Sequence, residues 1–331
     1  MSSSLIGIQF ADVELEASVR AHLDAIEAAL AQAVSAEDEF VADAARHLVN
    51  AGGKRFRPLL CALAAHFGDA TRPEVVPAAV VVELTHLATL YHDDVMDEAG
   101  VRRGAVSANA RYGNSVAILT GDFLFSRASN LLADLGPHAV RLQARTFERL
   151  VIGQIRETVG PADGVDPIDH YLAVLADKTG SLIATAAEFG AMFAGVEAAL
   201  VDNLRRFGEQ IGVAFQLSDD ILDIASESAE SGKTPGTDLR EGVPTLPVLY
   251  ALRATEPSMQ RLRALVSHPL VEDAEHAEAL RLLRASSALD DARATMATYA
   301  ERARSMLAEL PDVPARAALA ALCDIVIART S

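Results

Sequence analysis

Two short runs of aspartate carry the strongest chemical signal in this sequence. The first spans residues 92–97 (HDDVMD) and the second spans residues 216–223 (QLSDDILD), and both contain the pattern Asp-Asp-x-x-Asp. On a helix, the outer aspartates of each run lie one turn apart on the same face, where like charges repel. Mg²⁺ would relieve that repulsion, because it prefers hard oxygen ligands and completes its shell with water and substrate phosphates. Two such helices facing each other would hold a metal cluster that clamps a diphosphate.

A solvated acidic helix face is the alternative interpretation of either run. It explains one run about as well as a metal site does. It explains two identical runs poorly, because each is embedded in apolar sequence. Aspartate is a poor helix former and is rarely buried without a partner.

Four basic groups could bind the phosphates beyond the metal. They are GGKRFRP at 52–58, the pair Arg102 and Arg103, KTG at 178–180 and GKTPG at 232–236. Arginines can bind phosphate through two hydrogen bonds and lysines act as point charges, so together they suit two diphosphates. A P-loop is excluded at 52–54, because the glycine spacing is wrong. His86 lies two helical turns before Asp93 on the same face, where it is either a structural histidine or a phosphate contact.

Helical periodicity dominates the elements that must position these groups. Residues 13–50 read as amphipathic helix, and Pro58 opens a second helix. Further helices are predicted at 78–98, 115–136, 138–159, 168–194, 198–226, 243–254, 272–283, 289–310 and 314–328. No strand or hairpin pattern of consequence is present. The sequence therefore predicts one all-α domain over residues 1–331, with a flexible N-terminal tail at 1–12.

Composition narrows the class of protein. The 331 residues include 29 Lys and Arg against 46 Asp and Glu, and a net charge of −17 argues against nucleic-acid binding. Cys61 and Cys323 lie among apolar residues and are expected to be buried thiols. The N-terminus has no signal-peptide pattern, and the apolar run at 78–90 is too short and too polar for a transmembrane segment. We expect a cytoplasmic enzyme.

These motifs together resemble the trans-polyprenyl diphosphate synthase family, of the medium- or long-chain type. The resemblance covers residues 48–329, nearly the whole chain. It rests on the four basic groups, both aspartate motifs and GDFLF at 121–125. It implies an all-α bundle of the isoprenoid synthase type around a central cavity, and a homodimer.

The resemblance also implies a role for each motif residue. The six aspartates would hold three Mg²⁺ ions on the allylic diphosphate, with Asp93, Asp97 and Asp219 as the direct ligands and with support from Asp94, Asp220 and Asp223. Arg102, Lys178 and Lys233 would contact the same diphosphate. Isopentenyl diphosphate would be bound by Lys54, Arg57, His86 and Arg103. Thr179 and Gln216 would lie beside the developing allylic cation.

The implied reaction is ionisation, condensation and elimination. The allylic C–O bond breaks as metal ions and cationic side chains stabilise the leaving diphosphate. The double bond of isopentenyl diphosphate then attacks, and a proton passes to the released diphosphate. Weak membrane association would help release the apolar product.

Two departures from the family pattern concern the phosphate site. The family usually has a lysine where this chain has Val243, which removes one allylic phosphate contact. The family often has Glu and then Gln after the glycine at 153, whereas this chain has Gln154 and Glu157. Neither departure removes a metal ligand, so activity is still expected.

Small residues before the first motif favour a product longer than geranylgeranyl. Ala88 and Thr89 lie one turn before Asp93, where short-chain enzymes of the family place a bulky aromatic residue. Phe123, Phe125 or Leu131 could close the cavity deeper down. The alternatives are a short-chain farnesyl or geranylgeranyl diphosphate synthase and the catalytic subunit of a heteromeric synthase. A terpene cyclase fits poorly, because it needs no isopentenyl diphosphate site.

Overall fold

The computed structural model describes residues 7–226 and 235–330, and most of these residues are helical. In the first half of the chain the elements are α1 (Val13–Ala33), α2 (Glu39–Asn50), α3 (Phe56–Ala65), α4 (Val75–Met96), β1 (Val101–Arg102), β2 (Ala105–Val106), α5 (Ala108–Tyr112), α6 (Asn114–Leu135) and α7 (Pro137–Val159). The second half contains α8 (Pro167–Leu175), α9 (Ser181–Phe193), α10 (Ala198–Ala225), α11 (Thr237–Glu241), α12 (Leu246–Arg253), α13 (Gln260–Leu265), α14 (Asp273–Arg284), α15 (Ser287–Met306) and α16 (Pro314–Ala328).

The predicted helix at 13–50 is two helices in the structure. Asp12 caps α1 by accepting a hydrogen bond from the Leu15 amide at 2.7 Å. Asp38 caps α2 by accepting from the Phe40 and Val41 amides. Periodicity alone does not reveal the break, because apolar spacing resumes after Asp38.

A small β-hairpin follows the first aspartate motif and was not predicted. β1 and β2 are antiparallel, with Val101 opposite Val106 and Arg102 opposite Ala105. Strands of two residues are too short to show an alternating pattern. The short helices α5, α11 and α13 were also not predicted, because they are too short to show a helical periodicity.

The chain forms two compact units. Unit 1 contains Met1–Glu148, Leu182–Gly208 and Met306–Ala321, and unit 2 contains Arg149–Ser181, Glu209–Ser305 and Leu322–Ser331. The single domain expected over residues 1–331 stays a prediction. The flexible tail expected at 1–12 also stays a prediction: Ile8 is buried and Asp12 caps α1, and residues 1–6 lie outside the described residues.

Helix α4 runs through the core of unit 1. Its apolar side chains from Val75 to Tyr91 are buried on several faces. Among the described residues it alone is long and apolar enough to cross a membrane, and 72% of its most apolar window is buried inside the protein. Helix α4 is longer than the apolar run at 78–90 that was judged too short for a transmembrane segment. A core helix of a globular protein is typically buried to this extent as well.

The expected thiols Cys61 and Cys323 are both buried and free, and burial raises the pKa of each to about 12.

A π-helical turn at Ala176–Gly180 interrupts the predicted helix at 168–194, between α8 and α9. This turn contains Lys178 and Thr179. On α7, Gly153 faces it so closely that a Cβ at 153 would lie 2.7 Å from the Lys178 amide nitrogen. The missing side chain therefore lets α7 pack against the wide turn.

Candidate active site

The first aspartate motif ends helix α4 in unit 1. Asp93 lies in the last turn and Asp97 is the C-cap, with its amide donating to the Asp93 carbonyl at 2.8 Å. The partial negative charge of a helix C-terminus disfavours carboxylates there. Their position therefore works against helix stability and makes a bound cation favourable.

Both carboxylate oxygens of Asp94 accept hydrogen bonds from the protein. It is fully buried, with Oδ1 2.6 Å from Arg102 Nε and Oδ2 3.2 Å from the Ala108 amide. Arg102 also lies 3.5 Å from Asp97. Asp94 thus holds the hairpin and Arg102 against the end of α4, while Asp97 is half-exposed.

The side chains predicted for isopentenyl diphosphate gather around the start of α3. Lys54 is exposed, and Arg57 has a buried Nε atom with no hydrogen-bond partner. Burial lowers the pKa of Arg57 to about 10. Arg103 donates to the Leu48 carbonyl at 3.1 Å and to the Gly52 carbonyl. These contacts bring the hairpin arginine to the same loop as Lys54 and Arg57.

His86 lies close to these arginines. Burial first, and then the charges of Arg57 and Arg103, hold its pKa well below the ordinary value. The imidazole is therefore neutral at pH 7. As a neutral ring it can donate a hydrogen bond to phosphate from one nitrogen.

The second aspartate motif lies on α10 in unit 2, and each aspartate has different partners. Asp219 Oδ1 is 2.5 Å from the Arg329 guanidinium near the C-terminus. Asp220 accepts a hydrogen bond from the Tyr171 hydroxyl and another at 2.9 Å from Gln216 Nε2. The carboxylate of Asp223 caps α11 by accepting from the amides of residues 237 and 238 at 3.3 Å.

Burial dominates the electrostatics of Asp220. It raises the pKa of this carboxyl from 3.8 to about 6, although the hydrogen bonds from Tyr171 and Gln216 act in the opposite direction. Burial and the nearby Asp220 charge raise the pKa of Tyr171 well above 10. Tyr171 therefore stays a hydrogen-bond donor at neutral pH.

The π-helical turn presents Lys178 and Thr179 in the same unit. Lys178 donates to Glu157 on α7, and Thr179 Oγ1 lies 3.5 Å from Gln216 Oε1. Arg149 supports the turn by bridging Asp177 at 3.0 Å and Glu209 at 2.5 Å. The departure at position 157 thus supplies a carboxylate partner for a predicted phosphate-binding lysine.

A cavity of about 190 Å³ lies beside α4, α6 and α7 in unit 1. Thr85 lines it, two turns before Asp93 on the same helix face as Thr89. Phe125 and Phe147 form part of its wall, with ring centroids 4.4 Å apart. Of the three residues that the sequence offered as a floor, Phe125 lines this cavity, whereas Phe123 packs against Arg127.

Two of the predicted or noted positions give little information about the site. Lys233 lies outside the described residues. Val243 is 38% exposed.

Sequence reasoning missed Tyr171 and Arg329, which lie 49 and 110 residues away from their aspartate partners. No local signal connects residues so far apart in sequence.

The donor set suits Mg²⁺. Within the parts of the chain that are described, no three His, Cys, Asp or Glu side chains converge into a closed metal cage. Mg²⁺ does not require one, since it binds through one or two carboxylates and takes its remaining ligands from water and phosphate. Asp93 and Asp97, placed one turn apart at a helix end, meet that requirement.

Comparisons with known proteins agree with these motifs. The family model described as polyprenyl synthetase matches residues 38–283. The nonaprenyl diphosphate synthase of Mycobacterium tuberculosis is 54% identical over 98% of this chain and 97% of its own length. A dimethylallyltranstransferase of the same organism is 42% identical over 96% of this chain and 97% of its own length.

A solved structure agrees over almost the whole chain. The geranylgeranyl pyrophosphate synthase of Corynebacterium glutamicum, complexed with calcium and isoprenyl diphosphate, aligns with a TM-score of 0.88 and 47% identity, covering 98% of this chain and 99% of that one. The chain therefore belongs to the polyprenyl synthetase family, the trans-polyprenyl diphosphate synthases, and has the all-α isoprenoid synthase fold.

Proposed function

We propose that the protein is a Mg²⁺-dependent trans-polyprenyl diphosphate synthase that condenses isopentenyl diphosphate with an allylic diphosphate. The single observation that carries the proposal is the position of Asp93 and Asp97 at the C-terminal end of α4, with Arg102 held between Asp94 and Asp97. Carboxylates and an arginine at one helix end suit a metal-bound diphosphate.

In this proposal Asp93, Asp97 and Asp219 are direct ligands of three Mg²⁺ ions. When bound, Mg²⁺ supplies the positive charge that stabilises the departing diphosphate. Asp94 and Asp220 position the groups around them, because their oxygens already accept protein hydrogen bonds. Asp223 supports the start of α11.

The chain's own side chains bind and orient both substrates. Arg102, Lys178 and Lys233 contact the allylic diphosphate. Lys54, Arg57, His86 and Arg103 bind isopentenyl diphosphate, with His86 donating from a neutral ring. The oxygen atoms of Thr179 and Gln216 direct partial negative charge at the allylic cation. The proton lost after condensation passes to the released diphosphate.

We propose a product longer than geranylgeranyl. Ala88 and Thr89 leave the face of α4 below Asp93 without a bulky side chain, and Thr85, one turn before Thr89, lines a cavity. The 54% identity to a nonaprenyl diphosphate synthase supports a long product. The geranylgeranyl pyrophosphate synthase at 47% identity keeps the shorter product as the alternative.

A product assay tests the function directly. The protein is incubated with Mg²⁺, labelled isopentenyl diphosphate and farnesyl diphosphate, and the products are sized. Asp93→Ala and Asp219→Ala should each lower kcat by about 10²-fold or more while leaving the helical circular-dichroism signal intact. Failure of the wild-type protein to incorporate label with any allylic primer would contradict the proposed activity.

We also propose a cytoplasmic homodimer with weak membrane association during product release. Exposed apolar side chains on α6, at Ile118 and Leu119, support a protein partner. Light scattering of the wild-type protein and of Leu119→Asp tests the dimer. A monomer in both cases would contradict it, and a second polypeptide co-purifying in fixed ratio would favour the heteromeric synthase. Flotation with phospholipid vesicles tests the membrane association.

A further inference from the structure

Glu83 is a buried carboxylate close to arginine side chains. Two of these arginines, Arg57 and Arg103, are proposed to bind the anionic isopentenyl diphosphate. Glu83 lies on α4, one turn before His86, and is 2% exposed. Its Oε1 atom is 3.0 Å from Arg55 Nη1 and 4.0 Å from Arg103 Nη2. A buried carboxylate is costly unless it is paired, and it cannot itself bind a diphosphate. Its contacts therefore suggest a role through the arginines.

The first of these arginines is fully engaged within the protein. Arg55 pairs with Glu27 and Glu83, lies within hydrogen-bond distance of the Gly52 and Val49 carbonyls, and is 11% exposed. Its backbone has a left-handed φ of 49°, a conformation that costs free energy for a non-glycine residue. The side-chain contacts hold it there. Arg55 thus connects the 52–57 segment to α4.

The second arginine belongs to the hairpin. Arg103 also has a left-handed φ, of 54°. Its guanidinium donates to two carbonyls of the 48–52 segment and lies against Gly53, where a Cβ would come within 2.9 Å of Cζ. Arg103 also lies 4.0 Å from Glu83. It therefore connects three segments that are far apart in sequence: the 48–53 segment, α4 and the hairpin.

Charge repulsion makes the carboxylate necessary. Arg57 is partly buried, and the Arg103 charge lowers its pKa, while the charges of Arg55 and Arg102 lower the pKa of Arg103. Glu83 is the charge that most favours both guanidinium groups. Without it, the cations would repel one another before any diphosphate arrives, and the loop and hairpin would move apart.

We propose that Glu83 is a positioning residue for isopentenyl diphosphate binding: it fixes Arg55 and Arg103, and with them the 52–57 segment and the hairpin, so that Lys54, Arg57 and Arg103 meet one diphosphate. This inference rests on the proposed function. It assigns a defined role to an acid that contacts no substrate.

The test compares Glu83→Gln with Glu27→Gln, which removes the charge of the other Arg55 partner. Glu83→Gln should raise the KM for isopentenyl diphosphate by about 10- to 100-fold. The KM for the allylic substrate and kcat should each change less than about threefold. Glu27 is 46% exposed, so Glu27→Gln should raise the isopentenyl diphosphate KM by less than about threefold. Glu83→Asp should restore part of the lost affinity.

Each other outcome would contradict the inference. An unchanged isopentenyl diphosphate KM, an equal effect of both variants, or a loss confined to kcat would overturn it. If Glu83→Gln does not fold, Arg55→Gln breaks the same link and carries the same expectation. Failure of both to fold would make Glu83 a stability residue only. An inactive wild-type enzyme would instead contradict the proposed function, whereas an active wild type with an insensitive Glu83→Gln would contradict this inference alone.

Discussion

The Lys178 ammonium group donates a hydrogen bond to Oε2 of Glu157, one turn after the glycine that lets α7 approach the π-helical turn. The pair is partly exposed, at 25% for Lys178 and 36% for Glu157. The lysine proposed for the allylic diphosphate is thus paired with a carboxylate of the protein. Binding of substrate must compete with that carboxylate or share the lysine with it.

Glu157→Gln should therefore tighten allylic substrate binding. Removing the competing charge frees Lys178, and a partly exposed pair of this kind is worth about 0.2–1 kcal/mol. The KM for the allylic diphosphate should fall by about two- to fivefold with little change in kcat. Initial-rate kinetics at saturating isopentenyl diphosphate measure it. Asp163→Asn makes the same charge change on an exposed loop and is the control. A rise in KM would mean that Glu157 orients Lys178 instead of competing for it.

Asp94→Asn should separate positioning from metal binding. The variant keeps Asp93 and Asp97 but replaces the carboxylate that pairs with Arg102, and an amide cannot accept at both positions. Breaking this buried pair should lower the free energy of unfolding by about 2–4 kcal/mol. The allylic KM should rise by about tenfold.

Chemical denaturation and initial-rate kinetics measure these two effects. Glu98→Gln, an exposed acid four residues later, is the matched control and should change neither. If Asp94→Asn raised the Mg²⁺ requirement without affecting the allylic KM, Asp94 would be a ligand.

In the metal-free protein, the stability of Asp220→Asn relative to wild type should rise between pH 5 and pH 7.5. Because burial raises the pKa of Asp220 to about 6, the folded protein holds a proton that the unfolded chain has already lost. The stability from this group is fully present below pH 3.8 and is lost as the pH rises to about 6. Above that pH the charged carboxylate costs at most about 3 kcal/mol.

Thermal unfolding in chelator at pH 5 and pH 7.5 checks this expectation. The variant should gain more relative to wild type at pH 7.5, whereas Asp163→Asn should gain nothing at either pH. Equal gains at both values would show that the charge of Asp220 is not the cause.

Phe125→Ala should lengthen the product. The ring lies on the wall of the cavity that continues from Thr85 and packs against Phe147, so its removal extends the space open to the growing chain. Ala88→Phe should shorten the product by blocking the face of α4 below Asp93. Chromatography of the dephosphorylated products measures both.

Phe123→Ala is the control, since Phe123 packs against Arg127 outside this wall. A product distribution that is the same in Phe125→Ala and wild type would mean that the chain grows elsewhere.

Local sequence predicted the long helices and the residues that bear charge. The helix at Pro314–Ala328 has the predicted bounds, and α4 and α10 differ from the predicted bounds by three residues or fewer at each end. Capping and the wide turn were not predicted, because Asp38 and Gly153 act through contacts that periodicity does not reveal.

The sequence identified which residue types form the candidate site. It did not identify which side chains those residues contact. The aspartates stood out through their spacing, whereas Tyr171 and Arg329 come from distant segments. Glu83 was visible in the sequence only as an interruption of an apolar run. Its relation to Arg55 and Arg103 depends on the fold of three segments.

The π-helical turn at Ala176–Gly180 determines how the side chains of α8 are rotated about the helix axis relative to those of α9. One additional residue in a helix rotates the preceding side chains by about 100° relative to those that follow. Tyr171 reaches Asp220 from the far side of this turn. Deletion of Ala176 alone would leave every functional side chain in the sequence yet point Tyr171 away from its partner, so the length of this segment matters as well as its composition.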